Sequence, residues 1–222
     1  MFSFKLASTG SELYLGGTNP AKYTGSIEPH SVVSPQKYWQ ISGASIHTGS
    51  ATPVSNFQTI IDTGTTIMYG PPADVATFYN YVPGSALYDS TYGYYSFPCS
   101  SVPSVVFSWG PGGRNWTISA AKYVPSGTSS SEVLSRCLSY FFRSFNFGET
   151  TAGSGRCVGA LAGVDLGLGT GVWFLGDAQV FCSAYRALSY LTLSPSLFLR
   201  FIKNVYAVFD VTANTIGFAT LS

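Results

Sequence analysis

The chain has 222 residues, enough to bury one substantial core or two small ones. Only 9% of them are charged and the formal net charge is +1, so nothing electrostatic favours nucleic acid or an anionic membrane as a partner. With 45% hydrophobic and 16% aromatic residues, Ser, Thr, Asn, Gly and Tyr must cover the surface, a neutral exterior common in secreted β-proteins.

In chain order, Met1-Phe2-Ser3-Phe4-Lys5-Leu6 lacks the charged start and apolar run of a signal peptide. A targeting sequence, if the protein is secreted, is expected upstream of Met1. Glu12-Leu13-Tyr14-Leu15-Gly16-Gly17 and Tyr38-Trp39-Gln40-Ile41 read as strands, as do Val105-Val106-Phe107-Ser108-Trp109 and Val205-Tyr206-Ala207-Val208-Phe209. One segment differs: between Pro71-Pro72 and Pro83-Gly84, Val75, Phe78, Tyr79 and Val82 recur at i, i+3, i+4 and i+7. That spacing predicts a short amphipathic helix, entered by prolines and stopped by Pro-Gly. The class is mostly β with one or two short helices. Asn115-Trp116-Thr117 is a glycosylation sequon, meaningful only on a secretory route. Apolar stretches break well before the ~18 residues of a spanning helix, so no membrane span is expected.

Four cysteines, Cys99, Cys137, Cys157 and Cys182, show no close pairing, and only His30 and His47 could join them at a metal. A zinc site is not expected, nor any other cofactor. One or two disulfides, and with them an oxidising compartment, fit better.

Chemistry concentrates in Phe57-Gln58-Thr59-Ile60-Ile61-Asp62-Thr63-Gly64-Thr65-Thr66-Ile67-Met68. An Asp after two isoleucines, at a strand end, sits partly desolvated at the edge of a core. Thr63 and Thr65 can supply hydroxyl donors, and Gly64 lets the backbone turn tightly and bring amides close. A carboxylate held in this way is poised for proton transfer. The tripeptide alone also fits an ordinary turn, with Asp bonding its own backbone and Gly taking a positive φ. A phosphoryl-transfer reading is weaker, because the second Asp it wants, two residues on, is Gly64 here.

The surroundings decide between these. The sequence resembles the C-terminal lobe of pepsin-like aspartic endopeptidases, fungal ones in particular, over nearly its whole length. The resemblance rests on matches in the family's order: the opening Phe2–Leu6 and Glu12–Gly17, Lys22-Tyr23-Thr24-Gly25-Ser26-Ile27, Tyr38–Ile41, Ile60–Thr65, Gly70-Pro71-Pro72, Pro103-Ser104-Val105-Val106-Phe107, Cys157-Val158-Gly159-Ala160, Trp173-Phe174-Leu175-Gly176-Asp177, Val205–Asp210 and Ile216-Gly217-Phe218-Ala219. It implies a pepsin-like acid protease fold, with residues 1–222 forming the C-terminal lobe. It further implies that Asp62 is a catalytic carboxylate, that Thr63, Gly64 and Thr65 form the active-site loop, and that Leu175 and Gly176 pack beneath it. Cys99 and Cys157 are implied to form a disulfide, the substrate to be a polypeptide, and the location to be extracellular.

In that family two Asp-Thr-Gly loops, one per lobe, flank a shared water. One acid takes the water's proton as it attacks the scissile carbonyl, and the protonated partner donates to the carbonyl oxygen; aspartic proteases are the general illustration of two carboxylates sharing a proton. Here there is one such loop. The N-terminal lobe, with its acid and its flap, is the expected missing partner, and this chain alone is expected to be inactive. The reading from a different class is a catalytically inactive single lobe that binds peptides or a protein.

Two stretches, at about 124–144 and 179–200, depart from the family pattern, and Cys137 and Cys182 fall one in each. Both start at or beside a valine and end in Phe-Phe-Arg or Leu-Phe-Leu-Arg. Retained introns, in a gene reading that also starts too late, would produce such ends; ordinary surface-loop insertions are the alternative.

Overall fold

A computed structural model describes residues 1–7, 10–65, 67–118, 146–176 and 201–222. The two departing stretches, with Cys137 and Cys182, lie outside the described residues.

The chain opens with β1 (Phe2–Lys5), β2 (Glu12–Leu15) and β3 (Tyr23–Ser31). It continues through β4 (Gln40–Thr48), β5 (Ala51–Ile61), β6 (Met68–Gly70) and the helix α1 (Pro72–Asn80). Next come β7 (Ala86–Asp89), β8 (Tyr94–Pro98), β9 (Val105–Trp109) and β10 (Trp116–Ile118). The last strands are β11 (Asn146–Glu149), β12 (Arg156–Gly163), β13 (Val172–Leu175), β14 (Tyr206–Asp210) and β15 (Thr215–Leu221). They form a five-stranded sheet, β2-β1-β14-β15-β3, and a larger one running β10-β9-β4-β5-β13-β6-β12-β8-β7, with β11 beside β12. The fold is mostly β and fits a single pepsin-like lobe.

Alternation explains the strands. In β4, Ile41, Ala44 and Ile46 are buried while Ser42 and Ser45 turn outward, and a register shift between Ile41 and Ala44 keeps the apolar set on one face. Aromatic rings join the two sheets. Trp109 of β9 and Phe218 of β15 lie 5.0 Å apart between centroids, and Phe201 meets them at 5.4 and 5.2 Å. Each such pair adds about 0.5–1.5 kcal/mol beyond its burial.

The helix forms where the prolines and the apolar spacing predict. Pro72 opens it, where its missing N–H costs nothing, and Val75, Phe78 and Tyr79 are buried against the sheet. The Tyr79 hydroxyl donates to the Leu161 carbonyl at 3.0 Å, tying the helix to β12. Trp173, wholly buried in β13, stacks on Phe57 at 4.5 Å and donates from Nε1 to Asp74 Oδ2 at 3.4 Å. Among the described residues no helix is long and apolar enough to cross a membrane.

Candidate active site

The centre of the larger sheet is built by strand insertion. β13 lies between β5 and β6, parallel to β5 through Phe174↔Ile60 and Leu175↔Ile61, and antiparallel to β6 through Leu175↔Met68. The segment joining β5 to β6 therefore has to arch over the end of β13, and that segment carries Asp62.

Strong constraints hold this arch. The Ile61 amide donates to the Trp39 carbonyl at 2.9 Å, and the Asp62 amide to the Leu175 carbonyl at 3.4 Å. Asp62 is half-buried. Its Oδ1 accepts the Gly64 amide at 2.9 Å, and its Oδ2 accepts the Thr65 hydroxyl. Directly below, Leu175 is fully buried and Gly176 fills the remaining space. A Cβ on Gly176 would lie 2.4 Å from the Thr65 carbonyl oxygen and 2.6 Å from that of Ile67, so only glycine fits under the arch.

Asp62, Gly64, Thr65, Leu175 and Gly176 thus meet in one place. Thr63 does not turn inward; it is exposed at the tip, because the Asp62 carboxylate takes its donors from the two residues that follow. Gly64 does not take a left-handed backbone, and a Cβ there would sit 3.4 Å from Asp62 Oδ1, an ordinary contact, so what this position supplies is its amide to the carboxylate. Cys99 and Cys157 are joined in a disulfide with Cα atoms 4.9 Å apart, linking the residue after β8 to the start of β12, apart from the arch.

Sequence reasoning did not single out the tyrosines beside the exit strand. Tyr69 of β6 and Tyr94 of β8 both pair with Ala162 of β12, and with Val164 they cover Ile67 and Ala162. Burial pushes both phenols above their ordinary value, Tyr94 also through Tyr69, Asp89 and Tyr92, so both stay neutral donors in acid and neutral solution. A cleft of about 510 Å³, which Val164 but neither tyrosine lines, opens between Pro72 and the loop from Val164 to Gly171. Two tyrosines separated by 25 residues meet only through the β12 register, which the sequence does not display.

With both oxygens occupied by donors, the Asp62 carboxylate has a fixed orientation. An ionised carboxylate only accepts, so it can take a proton from a water but cannot also donate one to a carbonyl oxygen. No second carboxylate touches it among the described residues, and no cluster of three or more His, Cys, Asp or Glu there could hold a metal.

The eukaryotic aspartyl protease family matches residues 1–178 of this chain. The chain belongs to that family. It is similar to an aspartic protease of Phaffia rhodozyma, with 38% identity over 99% of this chain and 43% of that protein. Cathepsin D of Clupea harengus is 28% identical, over 99% of this chain and 46% of its own length. Major aspartyl peptidase 1 of Cryptococcus neoformans is 26% identical, over 98% of this chain and 37% of its own length. The chain therefore spans less than half the length of these aspartyl protease relatives.

Proposed function

We propose that this chain is the C-terminal lobe of an aspartic endopeptidase, with Asp62 as one of two acids that activate a water against a peptide bond. The observation that carries this reading is the Asp62 carboxylate, held by the Gly64 amide and the Thr65 hydroxyl on an arch that Gly176 supports. Thr63, Gly64 and Thr65 form the loop around the reacting water, and Leu175 and Gly176 keep it rigid. The second acid comes from the N-terminal lobe, so the isolated chain does not hydrolyse peptides. Its substrate is an unfolded polypeptide, and its place is extracellular, in keeping with the disulfide.

The test joins this chain to the N-terminal half of the Phaffia rhodozyma relative and assays cleavage of a denatured protein at acidic pH. The joined protein is expected to cleave, to lose activity about 10²–10⁴-fold on Asp62→Asn, and to be blocked by a statine-type inhibitor. The chain alone is expected to be silent. Undiminished cleavage by the joined Asp62→Asn protein would overturn the assignment. Inhibitor-sensitive cleavage by the chain alone would mean that two copies can assemble a working pair of acids. The reading as a peptide-binding module requires that the joined protein bind peptide and never cleave it.

A further inference from the structure

We infer that Asn115 carries an N-linked oligosaccharide. Asn115-Trp116-Thr117 is the one Asn-X-Ser/Thr triplet in the sequence, and the structure places it where a sugar can be accommodated. The triplet enters β10, whose side chains alternate. Trp116 is 6% exposed and Ile118 is fully buried, whereas Asn115 and Thr117 are both exposed. The opposite phase would have put the Asn in the core and the modification in conflict with folding.

The neighbouring contacts fix this phase. The Arg114 amide donates to Glu28, its Nη2 donates to the Ser26 carbonyl at 2.6 Å, and its guanidinium lies 5.0 Å over the Trp116 ring. Trp116 pairs with Phe107 and rests against Phe218. The Asn115 amide, by contrast, has no hydrogen-bond partner among the described residues.

Position adds a second argument. β10 is the edge of the larger sheet among the described residues, and an exposed edge invites pairing with other chains unless something bulky or charged protects it. A solvated sugar at the mouth of that strand supplies the protection. The site is also clear of Asp62: β10 stands three strands from β5 in the order β10-β9-β4-β5, about 14 Å at the usual strand spacing.

The co-reactant is an oligosaccharide linked through diphosphate to a membrane lipid, delivered by the transferase of the secretory lumen. Asn115 Nδ2 bonds to C1 of the first sugar, the C1–O bond to the lipid diphosphate breaks, and the amide gives up one proton; no electrons change hands. The inference rests on the secretory routing proposed above, so the test supplies that routing independently.

The full chain, behind a generic cleavable leader, is translated in the presence of endoplasmic-reticulum microsomes. Leader cleavage and protection from added protease report import. Imported chain is expected to show the mobility shift of one core oligosaccharide, removable by endoglycosidase H. The shift should be lost in Asn115→Gln and in Thr117→Ala and retained in Thr117→Ser. Because the transfer acts on the nascent chain, a variant that folds poorly is still informative. Imported chain of unshifted mobility, or a shift that survives in Asn115→Gln, would overturn the inference.

Discussion

Two loops of this lobe begin alike and end differently. In each, an Asp accepts the amide of a Gly two residues on at 2.9 Å: Asp62 from Gly64, and Asp165 from Gly167. Asp89 and Asp210 make the same kind of turn with Thr91 and Thr212. At Asp165 the arrangement stops there, with an exposed carboxylate and a Gly167 at φ +70 that faces open space. At Asp62 the second oxygen is taken by Thr65, the acid is half-buried, and Gly176 lies directly against the backbone of the arch. An Asp-X-Gly turn is therefore no site by itself; what sets Asp62 apart is support from a strand far away in sequence.

The sharpest way to break the comparison is to neutralise each acid in the joined protein. Asp62→Asn is expected to lower the cleavage rate about 10²–10⁴-fold. Asp165→Asn, on the surface, is expected to leave stability within about 0.5 kcal/mol, and equal losses of activity would erase the distinction.

Glycine replacement probes the support itself. Gly176→Ala forces a methyl into backbone oxygens and is expected to cost about 1–3 kcal/mol in urea unfolding, with loss of activity. Gly167→Ala has space and meets only the left-handed backbone, for about 1 kcal/mol. A tolerated Gly176→Ala would mean that the arch does not rest on β13. Thr65→Val leaves Asp62 Oδ2 without its hydroxyl and is expected to cost about 1 kcal/mol, the low end for a partly exposed acceptor. Thr65→Ser should restore most of it.

The smallest effect lies outside both loops and serves as their control. Burial holds the His30 imidazole below its ordinary value of 6.5, against the pull of Glu28 and with a push from Arg114. The unfolded chain therefore takes up this proton first. Stability is full above pH 6.5, falls as the pH drops from there toward the lowered folded value, and levels off below it. Urea midpoints measured across that window should lose this slope in His30→Gln; a slope unchanged by the substitution would place the titration elsewhere.

Much of this was legible because local chemistry and global fold agree. Pro71-Pro72 and Pro83-Gly84 punctuate a helix whose apolar spacing is unambiguous, and Ile60-Ile61-Asp62 announces a strand that ends in an acid. What stayed hidden depends on pairing between distant strands. The Trp39 carbonyl that anchors Ile61 and the meeting of Tyr69 with Tyr94 follow from register, which irregularities such as the shift between the Ile41 and Ala44 pairings of β4 reset without a sequence signal. Thr63 and Thr65 have the same side-chain chemistry, and only the path of the arch sends one outward and the other to the carboxylate. Gly64 reads as a left-handed turn residue but does not take that backbone; it gives its amide to the carboxylate.

Trp173 gives this architecture an optical readout. The indole stands two residues before Leu175, wholly buried against Phe57, in the strand on which the arch rests. Trp109, in the cluster between the sheets, is a separate emitter. With Trp39 and Trp116 replaced as well, chains in which one of these two is the sole tryptophan should show a red shift as that region admits water. The order of the two shifts along a urea titration would tell whether the Asp62 arch loosens before the lobe as a whole.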